Sequence, residues 1–448
     1  MSNLWKKLTA SLRAFNCSRS GNVAITFAIA TLPVIGAVGA AVDYSRANSV
    51  KAAMQAALDS TALMLSRDAA TLTQSQLQTE AKNYFLGMFN RPDAKSIVIS
   101  ASYSESGGSQ VVVNGQANVP TALMSAVGYD YITVKGSSTS KWGSERLRVA
   151  LVLDVTGSMS SDGKMDAMKT ATKNLISQLK GAASVNGDVY VSIVPFNKDV
   201  NVGSSNYKED WIDWTDWKEQ NGTCKNYDGY REPNNKDDCK DKDGTWKSAK
   251  TKTWNGCITD RDQSYDQNVT QPSGKATDNP TSYWPAEQFG SCPKAMMGLT
   301  YDWTALNNLV DSLEPVGNTN QPIGLVWGWQ SLVGGGPLTA PAKDSDYKYK
   351  EIIILLSDGM NTENRWSNRQ SSIDDRMYDN GTGTCPNAKA DGITIYSIQV
   401  NTGRDPTSTV MQNCASSSDK FFVLTSADQI VTTFAAIGTN LTKLRVAR

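Results

Sequence analysis

The chain contains no histidine in 448 residues. That absence excludes Ser-His-Asp triads, HExxH zinc sites and imidazole acid–base chemistry together, leaving carboxylates, Ser/Lys pairs or a metal as the means of any catalysis. A GxxxxGK[ST] run is also lacking, so the phosphate cradle of a P-loop is missing. Net charge is absent as well: 44 Lys and Arg balance 44 Asp and Glu, which leaves no overall field to draw in nucleic acid or an acidic surface. With 40% hydrophobic and 20% charged residues and no low-complexity block, the composition is that of a folded chain. Its length suffices for roughly two or three domains of about 150 residues.

A long apolar run is the first feature present. From Ser20 to Val42 no residue carries a charge, and a helix rising ~1.5 Å per residue over such a run crosses ~30 Å of hydrocarbon. Lys6, Lys7, Arg13 and Arg19 precede it without an acid. The positive-inside rule therefore places residues 1–20 in the cytoplasm, a membrane helix at 21–43 and the bulk of the chain outside. Small residues at 38–41 leave a cleaved signal peptide as the alternative. Against it, the run exceeds a signal h-region of ~7–15 residues, and helical patterning continues through Val50, Met54, Leu58 and Leu65. Six of the seven cysteines, Cys224, Cys239, Cys257, Cys292, Cys385 and Cys414, fall in the exported part, as disulfides in an oxidising compartment do. Proximity along the chain suggests pairing Cys224 with Cys239, Cys257 with Cys292 and Cys385 with Cys414. Cys17 is expected to be a free thiol on the cytoplasmic side.

Beyond the span, residues 44–92 read as a helical stalk ending in the breakers Asn90, Arg91 and Pro92, and 93–144 as a small β-rich region. From Leu147 the pattern alternates: strands at 147–155, 189–196, 352–356, 393–400 and 421–424, a helix at 165–179 and a closing helix from Ile430. Near-continuous apolar strands between helices predict an α/β domain over 145–448, a doubly wound, mostly parallel sheet covered on both faces. At about 202–300 the rhythm gives way to Asn, Asp, Lys and Gly with Trp211, Trp214, Trp217, Trp246, Trp254 and Trp284. This reads as a disulfide-held insertion whose tryptophans form either a binding surface or the insertion's own core.

The chemistry concentrates at strand ends. Asp154, Thr156 and Ser158, in D-x-T-G-S-M order, follow the carboxyl end of the first α/β strand, where open α/β sheets bind ligands. Three oxygens from one turn suit a small hard cation that takes about six oxygen ligands. The run at 352–356 ends in Ser357, Asp358 and Gly359, a second acid at a second strand end, and Thr319 in the loop before the helical stretch at 322–332 offers a further hydroxyl. This arrangement resembles a von Willebrand factor A domain with its metal-ion-dependent adhesion site. The family's D-x-S-x-S motif matches Asp154, Thr156 and Ser158, its loop threonine Thr319 and its later aspartate Asp358. Thr156 in place of the commoner Ser keeps the hydroxyl, and Asn318 stands where a second Gly often precedes the threonine. The resemblance implies Mg²⁺, with Mn²⁺ or Ca²⁺ as alternatives, held by hydroxyls directly and by carboxylates partly through water. One coordination position then remains for an acidic group of a partner.

Motifs from residue 19 to residue 448 extend the likeness. R-S-G-N-V-A-I-T-F-A-I-A enters the span, A-V-D-Y-S-R-A-N leaves it, and W-N-G-C-I-T-D-R-D, G-L-V-W-G-W, I-L-L-S-D-G-M-N and L-T-K-L-R-V-A-R follow. Together they resemble TadG-like proteins of tight-adherence (Tad/Flp) pilus systems. That resemblance implies a single-pass protein of the bacterial inner membrane with a periplasmic A domain, non-enzymatic, acting in assembly or anchoring of a pilus or secretion machine. Its partners would be other pilus-assembly or secretion proteins presenting an acidic residue, with no nucleic acid or nucleotide. A structural minor pilus subunit or surface adhesin displaying the A domain is the alternative. Related pseudopilins carry Glu five residues after the cleavage glycine; Thr26 at that distance from Gly21 argues against prepilin-type processing. A metal-assisted hydrolase is the least supported class, since no general base adjoins the motif. Ser161 to Lys164 spells SxxK without a following SDN or KTG and is read as a turn. Asp241, Asp243 and Gly244 lack the remaining ligands of a calcium loop, and Asp260 and Asp262 are expected at the surface.

Overall fold

A strand buried on both faces carries apolar residues at successive positions, and the strand through Leu147 does so from Val149 to Leu153. Leu147, Val149, Leu151 and Leu153 meet one layer of helices, Ala150 and Val152 the other. The computed structural model describes residues 21–105, 108–142, 145–273, 280–333, 338, 340–403 and 405–446. The basic segment 1–20, with Cys17, lies outside the described residues. The chain divides into two units between Trp142 and Gly143.

In the first unit, helices α1 (Gly21–Leu65) and α2 (Gln74–Met88) accompany an antiparallel sheet of β1 (Lys95–Ser104), β2 (Ser109–Pro120) and β3 (Tyr131–Trp142). Helix α1 is long and apolar enough to cross a membrane. Toward its start Val23, Phe27, Ile29, Val34, Ile35 and Val38 are exposed, whereas Val50, Met54, Leu58 and Leu65 near its end are buried at helical spacing. They share a core with Val111, Val113, Ala117 and Val119, the inward alternation of β2. Gly136 admits Leu58: a Cβ there would lie 2.9 Å from its side chain. A Thr73/Gln76 capping box starts α2. The Asp43 carboxylate accepts the backbone N–H groups of Ala122, Leu123 and Met124 at 2.8, 2.9 and 2.8 Å, latching the loop between β2 and β3 onto α1.

The second unit holds β4 (Glu145–Asp154), α3 (Lys164–Ala182), β5 (Val189–Phe196), β6 (Val200–Asn201) and β7 (Ile212–Asp213). A small hairpin of β8 (Gly222–Lys225) and β9 (Thr245–Ser248) follows, then β10 (Cys257–Ile258), β11 (Trp284–Glu287), β12 (Met297–Thr300), α4 (Trp303–Ser312) and α5 (Gln321–Leu332). The chain closes with β13 (Lys348–Ser357), α6 (Gln370–Met377), α7 (Thr384–Ala390), β14 (Thr394–Val400), α8 (Thr409–Cys414), β15 (Phe421–Leu424) and α9 (Asp428–Val446). Among the described residues the main sheet runs β15-β14-β13-β4-β5-β6-β10-β11-β7, with β12 also on β5. Its centre, β15 to β5, is parallel; β6, β10 and β12 add antiparallel pairings. Helices α3, α4 and α9 bury Met168, Leu175, Val310, Phe434 and Ile437 on one face, and α5 to α8 bury Ile323, Trp327, Met377, Ala388 and Met411 on the other. This is a mixed α/β unit.

Three disulfides join Cys224 to Cys239, Cys257 to Cys292 and Cys385 to Cys414, the pairing that proximity suggested. The insertion tryptophans do not make a separate core. Trp211, Trp217, Trp254 and Trp284 are buried in the same cluster as α5, and the Trp284 ring lies 4.3 Å from that of Trp327. Insertion strands β7, β10 and β11 continue the main sheet beyond β6 rather than forming a module of their own.

Candidate metal centre

The parallel register sets the carboxyl ends of β4 and β13 side by side, Leu153 opposite Leu356, so the residues leaving both strands converge. Asp154 is fully buried. Its Oδ1 accepts the Thr156 backbone N–H at 2.8 Å, closing the turn, and its Oδ2 accepts the Ser357 hydroxyl at 2.5 Å. The hydroxyls of Thr156 and Ser158 lie 3.0 Å apart, and Ser158 Oγ donates to Asp358 Oδ1 at 2.6 Å. One continuous chain of oxygens therefore links Asp154, Thr156, Ser158 and Asp358 across 200 residues of sequence.

Thr319 arrives on a loop. Gly317, at φ +82, turns its carbonyl onto the Gly157 N–H at 3.0 Å; a Cβ there would fall 2.8 Å from Asn197 Nδ2, so glycine is required. Thr319 itself is buried, its N–H held by Thr362 Oγ1 at 2.8 Å and its carbonyl by the Thr362 N–H at 2.9 Å. Asn318, the departure from the family pattern, donates to Glu363 Oε2.

Sequence reasoning missed three supporting residues. Gln321, at the start of α5, donates to both Ser357 Oγ and the Gly359 carbonyl at 2.9 Å, and Asn361 accepts the Gln321 N–H at 2.7 Å while donating to Asp374 at 2.7 Å. Lys164, which opens α3, is buried with its ammonium 2.5 Å from Asp358 Oδ2. The signal for Lys164 was its position one turn after D-x-T-G-S-M; it serves Asp358, whereas Ser161 Oγ bonds the Ser158 carbonyl at 3.1 Å as part of the turn. Burial, and then the nearby Asp358 charge, push the Asp154 carboxyl up to about 7, against the opposing pull of its Ser357 and Thr156 hydrogen bonds.

Other acids sort differently. Asp260 is not a surface residue: it is buried, accepting from Asn320 Nδ2 at 2.8 Å and the Arg365 N–H at 3.2 Å, because the insertion folds back onto the main sheet. Asp262 is half-exposed and pairs with Arg365 at 2.9 Å. Asp241 and Asp243 are exposed beside the Cys224–Cys239 disulfide. Among the described residues no group of three or more Cys, Asp or Glu side chains is placed to bind a metal by itself, so any ion at Asp154 relies on hydroxyl oxygens.

Comparison with known proteins adds a family for one segment. Residues 21–66 match the family described as putative Flp pilus-assembly TadE/G-like. No curated protein matches the chain. Among solved structures, the chain is similar to the pilus adhesin SpaC from Lactobacillus rhamnosus GG, with 16% identity, TM-score 0.34 and coverage of 80% of this chain but 36% of the adhesin. It is similar also to the von Willebrand factor domain of the type V pili tip protein Mfa5 from Porphyromonas gingivalis (11% identity, 68% of this chain, 97% of that one, TM-score 0.34). A third is proximal thread matrix protein 1 from the mussel byssus, solved with a zinc-occupied MIDAS motif (12% identity, 65% and 47% coverage, TM-score 0.32). Over residues 21–66, then, this chain is similar to the family described as putative Flp pilus-assembly TadE/G-like.

Proposed function

We propose that the chain is a membrane-anchored, extracytoplasmic component of a Tad/Flp-type pilus-assembly or secretion machine, whose second unit is a von Willebrand A domain that grips an acidic residue of a partner through Mg²⁺. The observation that carries this reading is the Ser158 hydroxyl on Asp358 at 2.6 Å, which joins the turn after β4 to the end of β13 in one oxygen cluster. The donor set fits a hard divalent cation: Thr156 and Ser158 offer neutral oxygens, Asp154 and Asp358 charge, and Thr319 stands on the adjoining loop. A bound ion with few anionic ligands would stay electron-poor and favour an incoming Glu or Asp. The chain's own part is to hold these oxygens still. The Gln321–Ser357–Asp154 hydrogen bonds fix one carboxylate and Lys164 neutralises the other until a cation enters. In this reading residues 21–43 cross the inner membrane, 1–20 stay cytoplasmic, and the A domain over 145–448 works in the periplasm without enzymatic activity.

Capture of periplasmic partners from a Tad-expressing cell, with and without EDTA, tests the proposal. Asp154→Ala is expected to abolish the EDTA-sensitive fraction while leaving the fold intact; equal capture by both proteins contradicts it. The exposed apolar surface at the start of α1 supports a second reading, a minor pilus subunit packed by that helix. Recovery of the protein in sheared filaments rather than membranes favours that alternative.

A further inference from the structure

The loop between β2 and β3 is apolar where a loop in water is not. Across residues 121–131 only Asp130 is charged. Leu123, Tyr129 and Tyr131 are 47%, 63% and 56% exposed, and Ala122 and Ala126 are exposed beside them. A contiguous apolar surface of this kind marks a place where something other than water is met. The loop is held where the uncharged run Ser20–Val42 ends, because Asp43, the first charge after that run, accepts the N–H groups of Ala122, Leu123 and Met124. Leu123 reaches further: a Cβ at Gly39 would lie 2.6 Å from the Leu123 Cβ. The leucine is therefore seated beside α1 about 6 Å before Asp43, at ~1.5 Å of helix per residue. The remaining backbone donors turn inward as well. Thr121 donates to the Asp130 carbonyl at 3.0 Å, Gly128 to that of Ser125 at 3.1 Å and Tyr129 to that of Met124 at 3.1 Å, which is what a backbone needs where water is scarce.

We propose that the loop over residues 121–131 is a second membrane contact, dipping Leu123 and the alanines beside it into the surface of the bilayer from which α1 emerges. The inference rests on the reading that α1 crosses the membrane, and goes beyond it by assigning lipid as what covers this face. Continuity argues for lipid: Leu123 packs on Gly39, inside the same uncharged run whose Val34, Ile35 and Val38 are exposed. The tyrosines argue for it too. Tyr44, 68% exposed, follows Asp43 on α1, and with Tyr129 and Tyr131 it brings three amphipathic rings to the end of the run. Such rings settle at headgroup level, the apolar body toward the chains and the hydroxyl toward water. Asp43 is buried under its three N–H donors, so its charge is satisfied at the boundary without water. A helix and a loop entering the same leaflet then set the tilt of α1 together.

Nitroxide labels on the full chain in vesicles of phosphatidylethanolamine and phosphatidylglycerol test the assignment. They are placed one at a time by Val38→Cys, Ala126→Cys, Tyr129→Cys and Arg67→Cys in a Cys17→Ser background, and relaxed by lipid-soluble oxygen or by a water-soluble nickel chelate. The label at Arg67, just past the far end of α1, is the water reference, and the label at Val38 reports the span. Labels at Ala126 and Tyr129 are expected to favour oxygen over nickel as the Val38 label does. Nickel relaxation equal to that at Arg67, with the Val38 label still in lipid, overturns the proposal and leaves the span standing. Shielding of both loop labels from oxygen and nickel alike means that a protein or a second copy covers the face, and overturns it too. A Val38 label open to nickel defeats the span itself, and the loop contact with it.

Discussion

Asp154 sits where two demands conflict, since its burial disfavours charge and its proposed role requires it. In the metal-free protein its carboxyl is pushed up from the ordinary 3.8 to about 7, so the folded state holds a proton that the unfolded chain releases. The group thus contributes stability in full below about pH 4 and loses it as pH rises through about 7. Denaturant midpoints in EDTA are expected to fall across that window, and Asp154→Asn to flatten the fall; an unchanged slope in the variant contradicts the assignment. Mg²⁺ selects the ionised form, so its affinity is expected to rise over the same range. Asp154, Thr156 and Ser158 share one turn because of their spacing after a strand end, whereas Asp358, placed by the sequence pattern at a second strand end, joins them through the pairing of β13 with β4. Lys164, Gln321 and Asn361 were not legible in the sequence, because their partners come from other elements and only the packed fold reveals them.

Helix α5 approaches the sheet more closely than side chains allow. A Cβ at Gly324 would lie 2.5 Å from the Phe196 ring, and one at Gly328 would overlap Val152. Gly328→Ala is therefore expected to destabilise the second unit by about 1–3 kcal/mol through overpacking, although Ala gains ~1 kcal/mol of helix propensity; a higher melting temperature contradicts this packing. In the first unit, Asp43→Ala is expected to accelerate hydrogen exchange at Ala122, Leu123 and Met124, whose N–H groups it holds. Unaltered exchange there would mean that the loop does not depend on the latch. The strands at 147–155 and 189–196 were readable because burial on both faces leaves a nearly continuous apolar run, and 421–424 because its four residues are all apolar although this edge strand is only partly buried. The short strands β6, β7, β10 and β11 were not, since two to four residues carry no period and their place in the sheet is set by tryptophans packing against Trp327.

For the whole molecule, the absence of histidine excludes imidazole chemistry, and residues 21–66 are similar to a putative Flp pilus-assembly family. Cys385 and Cys414 join α7 to α8, and replacing both with Ser is expected to cost about 2–4 kcal/mol in the oxidised protein; an unchanged melt would show that the bond constrains little. The most direct test of the central claim is the thermal melt of the full chain in Mg²⁺ and in EDTA, for the wild type and Asp154→Ala. With Mg²⁺ at about 100 times its dissociation constant, linkage gives the wild type roughly 2.7 kcal/mol of added stability and the variant none. Equal melts in Mg²⁺ and EDTA for the wild type, or an equal shift in both proteins, would contradict a metal centre at Asp154.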